Sequence, residues 1–380
     1  MNIVDQYRSG KPFPVNYQEK LVQKEGDRDK ARKNWQTIGN IKELKEGYLS
    51  NVVHEIAKLM VENNAIVVME DLNFGFKRGR FPVERQVYQK FENMLIEKLN
   101  YLVFKDKAVD EPGGVLNAYQ LADKAANVSD VGKQCGWIFY IPASYTSKID
   151  PKTGFANLLD MKNLTNVSKK REFFSKFEDI HFNSDSGSFA FTFDYKKFGG
   201  KGAVEMARTE WTVYSNGIRI SYNSKNRTTE EIDVSKKLKK LFETKNIDYQ
   251  TENNICDSIM EIGADLKDGE RPSKETADFW DNLLWYFKLI LQMRNSNSEI
   301  DYLISPVKAD DGTFFDSREQ LALGNKAKLP IDADANGAYH IALKGLYLLN
   351  NDFNLNDKGL IENISNTDWF RFVQKKEYLN

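Results

Sequence analysis

The spacing of apolar positions divides the chain before any single residue does. From Ile41 to Asn63, Ile41, Leu44, Tyr48, Leu49, Val52, Val53, Ile56, Leu59 and Met60 recur with a 3.6-residue period, which predicts an amphipathic helix. Ala65–Met69 is a short, β-branched apolar run of the kind expected of a strand buried on both faces. Val83–Val103 repeats the helical stripe through Val87, Phe91, Met94, Leu95, Leu99 and Leu102, and Gly136–Pro142 reads as a strand stopped by its proline. Helix, strand, helix, strand is the order of an α/β layer fold.

Near Ser144 the pattern changes. Phe189–Tyr195 alternates with period two after the turn signal Ser184–Gly187, and Trp211–Tyr222 reads as strand, Asn216-Gly217 turn, strand. Ser235–Phe242 and Phe279–Met293 are predicted helices. These segments suggest an α+β insertion at 144–328 with its own core. The closing stretch places Asp332, Asp334 and Asn336 just before an apolar helical run at Ile341–Leu349. Carboxylates there either cap the helix or hold a divalent cation, since both uses draw on hard oxygen acceptors.

Composition narrows the class. With 380 residues the chain exceeds one ordinary core, and 41% apolar with 29% charged residues describes a folded soluble protein expected in the cytoplasm. The net charge of −1 means that any nucleic-acid surface must be local. Cys135 and Cys256 form no Cys-x-x-Cys pair, which argues against a disulfide framework and a cysteine zinc site. No apolar run reaches the roughly 20 residues of a membrane span.

Candidate chemistry sits at the ends of these elements. Glu70 follows the Ala65–Met69 strand, where ligand and metal sites of α/β sheets gather, although Glu70 or Asp71 could equally cap the Asn73–Gly75 turn. Lys77, Arg78 and Arg80 form a basic loop able to touch phosphate. Residues 17–35 carry mixed charge and end at Trp35; they read either as a solvated helix or as a basic helix along phosphates with Trp35 in a neighbouring pocket. Residues 1–16 form an irregular entry broken by Gly10, Pro12 and Pro14.

Six segments then point to a family. Gly47–Ile56, Val68–Lys77, Gly113–Leu121, Tyr145–Pro151, Leu291–Ser296 and Asp332–His340, in that order, closely resemble the carboxy-terminal part of the type V-A CRISPR RNA-guided DNA endonucleases. The resemblance covers nearly the whole chain. It implies a split RuvC-like nuclease of RNase H fold, with an α+β Nuc domain inserted at 144–328 between a RuvC-like segment at 36–143 and another at 329–380. By the same resemblance, residues 17–35 match the bridge helix and Trp35 its terminal tryptophan. Glu70 and Asp334 match metal-binding carboxylates of the second and third RuvC segments, whereas Asp332 shapes the turn. Arg294 and Asp301 match Nuc residues linked to target-strand cutting; from the residues alone, Arg294 could fork onto a carboxylate or a phosphate.

The implied cofactor is Mg²⁺, with Mn²⁺ able to serve, and the implied partners are guide RNA, target DNA and the amino-terminal part of the effector. That part includes the RuvC segment bearing the first catalytic aspartate, so the chain alone is expected to cleave weakly or not at all. Related zinc-ribbon proteins carry two thiolates where this chain has Asp150 and Thr153, so zinc is not expected. The competing expectation is a non-catalytic nucleic-acid-binding module of the same fold; a third is a remnant destabilised by an unpaired sheet edge.

Overall fold

The computed structural model describes residues 41–70, 82–122, 134–142, 144–199, 206–223, 226, 228–251, 253–266, 270–297, 299–351, 364–376 and 378. Trp35, the bridge-helix segment 17–35 and the basic loop with Lys77, Arg78 and Arg80 lie outside the described residues. The chain divides into two compact units, residues 1–143 with 353–362, and residues 144–352 with 363–380.

In the first unit, helices α1 (Ile41–Glu62) and α2 (Pro82–Asn100) pack on a small sheet of β1 (Val67–Glu70), β2 (Gln134–Cys135) and β3 (Ile138–Ile141). The helical stripes read from the sequence are packed in part: Leu59 of α1 and Val87 of α2 are exposed. Val53, Ala57 and Met60 of α1 share a buried cluster with Leu95 and Leu99 of α2 and with Met69, Ile138 and Tyr140 of the sheet. β1 runs parallel to β3, pairing Val67 with Ile138 through Glu70 with Ile141, whereas β2 is antiparallel. Gly136 makes that β2–β3 turn possible. Its φ is +62°, and a Cβ there would meet the Leu121 carbonyl oxygen at 2.4 Å.

The expectation of a strand buried on both faces needs correction. All four residues of β3 are buried, but in β1 only Met69 is. Among the described residues β1 has one strand neighbour, β3, which explains its half-covered state.

The second unit begins with α3 (Val167–Phe174), β4 (Phe177–Asn183), β5 (Ser188–Asp194), α4 (Tyr195–Phe198) and β6 (Glu210–Tyr214). β4, β5 and β6 form one antiparallel sheet whose alternating Phe189, Phe191 and Phe193 are fully buried. β7 (Ile218–Asn223) and β8 (Thr228–Asp233) form a two-stranded sheet, followed by α5 (Val234–Glu243), α6 (Cys256–Glu261) and α7 (Lys274–Ile290). α7 is capped by Ser273, whose hydroxyl accepts from the Thr276 amide, and buries Phe279, Trp280, Leu283 and Phe287. Phe287 stacks edge-on at 5.1 Å from Phe177, joining the helix to the aromatic core.

The Asn216-Gly217 pair is not a hairpin turn. β6 pairs with β5 and β7 pairs with β8, so the chain passes from one sheet to another at this point. Two things fix the crossing. Gly217 has φ +66° and its absent Cβ would meet Ile304 Cδ1 at 2.5 Å, while the Asn216 amide donates to the Ser305 carbonyl at 3.0 Å. Tertiary hydrogen bonding overrides the local hairpin signal.

The unit closes with β9 (Arg294–Ser296), β10 (Asp301–Lys308), β11 (Phe314–Asp316), α8 (Ser317–Leu323), α9 (Ala333–Asn350) and α10 (Asn366–Gln374). Leu343 of α9 and Trp369, Phe370, Phe372 and Val373 of α10 join the same buried cluster as the β4–β5–β6 sheet. Among the described residues no helix is long and apolar enough to cross a membrane.

Candidate active site

Glu70 is the last residue of β1, at the carboxyl end of a strand parallel to β3. Its main-chain carbonyl accepts from the Tyr88 hydroxyl of α2 at 2.8 Å, which ties the strand end to the helix. The side chain is half-buried.

Asp334 belongs to the second unit, in the first turn of α9. The capping role falls to its neighbour: the Asp332 carboxylate accepts from the Ala335 amide at 2.7 Å. That frees Asp334 from helix capping, and its side chain is 92% exposed. A carboxylate there is favoured by the unpaired N–H groups of the helix start and keeps its oxygens open to a ligand.

β9 and β10 bring two further sequence-predicted residues to Asp334. Arg294 pairs with Leu303, and Asp301 stands two residues before Leu303, so both side chains project from one face as diagonal neighbours. The guanidinium grips Asp301 with two hydrogen bonds, Nε to Oδ1 at 3.1 Å and Nη2 to Oδ2 at 2.6 Å. Its remaining nitrogen, Nη1, lies 3.9 Å from Asp334 Oδ1. Asp301 first, and Asp334 and Asp332 with it, raise the Arg294 pKa further, so the cation is permanent. Arg294 is thus oriented by one carboxylate and presents a donor beside another.

This pair contributes orientation more than stability, because Arg294 is half-exposed. A double-mutant cycle with Arg294→Ala and Asp301→Ala should give a coupling of about 1 kcal/mol or less in chemical denaturation. A coupling several times larger would mean the pair is a folding element.

A buried polar scaffold holds β9, and the sequence reading passed over it. The fully buried Asn295 accepts from the Ile220 amide at 2.9 Å and donates to the Met293 carbonyl at 3.0 Å, and Gln292 donates to the Ile220 carbonyl at 2.8 Å. Both flank Arg294 in sequence, and polar residues next to a predicted site residue were the available signal.

A second scaffold holds α9. Asn336, fully buried, donates to the Ile149 carbonyl at 3.0 Å. That carbonyl leads into a turn closed by the Asp150 carboxylate, whose Oδ1 accepts from the amides of Lys152 at 2.6 Å and Thr153 at 2.9 Å. Thr153 Oγ1 in turn accepts from the Phe155 amide at 3.2 Å. Asp150 and Thr153 thus bond to the backbone of their own turn. Burial pushes the Asp150 carboxyl up, against hydrogen bonds from Ser305, Thr153 and Lys152.

One turn further on, His340 is buried, with Nδ1 at 2.9 Å from the Asn336 carbonyl and its ring edge toward Trp369. Burial, aided by Lys344, lowers its pKa to about 4. The imidazole is neutral at pH 7 with Nδ1–H as donor. Because the unfolded chain binds the proton more tightly, stability is held above the ordinary histidine pKa and lost as pH falls from about 6.5 toward 4, by roughly 3 kcal/mol. His340→Asn, which keeps a donor near the carbonyl, should flatten that acid limb in melting curves recorded at a series of pH values.

Among the described residues, no group of three or more histidine, cysteine, aspartate or glutamate side chains forms a metal site. Glu70 and Asp334 lie in different units. The chemistry of the donors suits a divalent ion: Asp334 is an exposed carboxylate, and the acidic cluster around it is already partly balanced by Arg294.

A model of the RuvC nuclease domain matches residues 1–378. The chain belongs to the RuvC nuclease family. A mixed α/β architecture with β1 and β3 parallel agrees with the RNase H-like fold of RuvC domains. RuvC nucleases generally use divalent metal ions.

Proposed function

We propose that this RuvC-family chain is the nuclease part of an RNA-guided DNA effector of type V-A, hydrolysing DNA phosphodiesters with Mg²⁺, or Mn²⁺ in its place. The observation that carries the reading is the grouping at the start of α9: Asp334 exposed and uncommitted, with Arg294 locked on Asp301 and one nitrogen still turned toward Asp334. Glu70 and Asp334 would each offer carboxylate oxygens to a divalent ion, which when bound would supply charge stabilisation at the attacking and leaving oxygens. Arg294 holds a phosphate of the strand in place, and Asp301 sets its plane; both are positioning residues. Residues 144–328 form the Nuc insertion of this reading. Trp35, Lys77, Arg78 and Arg80 contact nucleic acid, and the guide RNA supplies sequence choice while the protein engages backbone. The effector acts in the cytoplasm, with guide RNA, target DNA and its amino-terminal part as partners.

The test is a nicking assay in Mg²⁺ on plasmid and single-stranded DNA. It uses the 380-residue chain alone and the chain reconstituted with guide RNA and a type V-A amino-terminal part. Guide-directed cleavage that needs both Glu70 and Asp334, and that falls by about 10–100-fold with Arg294→Ala, is the expected result. Salt-dependent strand binding without hydrolysis in either preparation, unchanged by Asp334→Asn, would replace this reading with a binding module.

A further inference from the structure

The second unit holds a cleft away from Asp334 and Arg294 that the site above does not use. It is open, with a volume of about 660 Å³, and lies between the Tyr145–Asp160 region, α3 and the end of α4. Lys148, Lys162, Lys169 and Lys176 line it, against the acids Asp160 and Glu172. Lys176 pairs with Glu172 at 3.2 Å, while Lys148, Lys162 and Lys169 are exposed and make no ion pair among the described residues. Four lysines against two acids give the cleft a net charge of +2, a local positive field in a chain of net charge −1.

Its walls are aromatic as well as basic. Phe198 is half-buried, packed at 5.1 Å on Phe173, with the Lys176 ammonium 5.9 Å from its ring centre. Tyr145 faces the same space from a left-handed backbone, φ +55°, which a non-glycine residue adopts at a cost. That conformation is held from behind: Trp369 Nε1 donates to the Tyr145 carbonyl at 3.1 Å, and Phe370 packs edge-on at 5.2 Å. α3 adds a helix start without an acidic residue in its first turn, so its N-terminal N–H groups reinforce the positive field.

Exposed ammonium groups and half-exposed rings lining one cleft match a polymer that alternates phosphate and planar base. An acidic peptide would use the lysines and leave the rings idle. We propose that this cleft is a holding site for single-stranded nucleic acid, with Lys148, Lys162 and Lys169 on consecutive phosphates and Tyr145 and Phe198 against bases. The identity of the ligand rests on the nuclease reading above; the geometry of the cleft does not. Phosphate and base are common to DNA and RNA, so both are tested.

The experiment measures fluorescence anisotropy of labelled oligo-dT and oligo-rU, about 12 nucleotides long, with the full chain in EDTA. The cleft variant is Lys148→Glu/Lys162→Glu/Lys169→Glu; all three side chains are exposed, so the fold is kept and a melting curve checks it. A control of equal charge is Lys236→Glu/Lys237→Glu/Lys240→Glu on the outer face of α5, where the lysines are exposed too. The proposal expects the cleft variant to lose tenfold or more in affinity for at least one strand. The slope of log affinity on log salt should fall by about 2, and the control should change by less than threefold. Equal losses in both variants, no loss in either, equal affinity for an abasic strand, or cleft-dependent binding of poly-glutamate in place of oligonucleotide would each overturn it. Because EDTA removes hydrolysis, cleft binding that persists when neither Mg²⁺ preparation cleaves upholds this site and removes only the nuclease reading. Cleavage with no cleft effect does the reverse.

Discussion

Asp334→Asn should lower Mg²⁺-dependent strand cleavage by about 10³-fold or more while leaving the melting temperature within about 3 °C of wild type. The two halves of that expectation come from one fact. The side chain is 92% exposed and does not cap the helix, so its folding contribution is limited to the helix dipole and a 3.9 Å contact with Arg294, together under about 1 kcal/mol. Losing a carboxylate ligand of a divalent ion removes several kcal/mol of charge stabilisation in the transition state, and each 1.4 kcal/mol is about tenfold in rate. The measurement is single-turnover cleavage in whichever preparation, chain or reconstituted effector, cleaves as wild type, with a melt on the same sample. Asp332→Asn is the matched control: it keeps a cap acceptor and should cost little in either readout. A variant at Asp334 that melts far lower with cleavage intact would make Asp334 structural.

Arg219→Leu should produce the opposite pattern, a large loss of stability from a residue remote in sequence from every predicted site position. The guanidinium is fully buried. It donates to the Leu289 carbonyl at 3.1 Å and the Asn216 carbonyl at 2.7 Å, closing the C-terminal end of α7 and the sheet-to-sheet crossing together. Burial lowers its pKa to about 10, so it stays charged at pH 7 and is compensated by carbonyl oxygens at the negative end of a helix. Leucine leaves those acceptors buried and unpaired, a loss of about 3–5 kcal/mol. For a unit of this size that corresponds to a fall of roughly 8–15 °C in melting temperature. Arg219→Lys should recover part of it. A change of less than about 2 °C for the leucine variant would show that water replaces the guanidinium without loss.

The elements legible in the sequence are those where one face meets one core. The α1 and α2 stripes, β3, β5 and the apolar face of α7 all announce themselves by their apolar pattern, and each reaches a core, although Leu59 and Val87 of the first two are exposed. Less legible were elements shaped by contacts distant in the chain. Asn216-Gly217 has the composition of a hairpin turn, yet Ser305 and Ile304, far along the chain, take its hydrogen bond and its missing Cβ. β10 carries Pro306, a residue that argues against a strand in sequence; the pairing with β11 shifts register between Ile304 and Lys308, where a proline is tolerated.

The candidate site shows the same division. Arg294, Asp301 and Asp334 were named from motifs, and the fold of the second unit brings them together. What sets their geometry, Asn295, Gln292, Asn336 and Asp150, carries no periodic signal, because buried polar residues are recognisable only by their partners. Capping chemistry left open which carboxylate of this stretch caps the helix; the bond from the Ala335 amide gives that role to Asp332.

The central claim is that the Asp334 carboxylate, exposed at the start of α9, takes up a divalent ion. Anomalous diffraction from a Mn²⁺-soaked crystal of the protein tests it most directly. The account predicts a manganese peak within about 2.3 Å of an Asp334 carboxyl oxygen. Manganese bound elsewhere on the protein with none at Asp334 would contradict it.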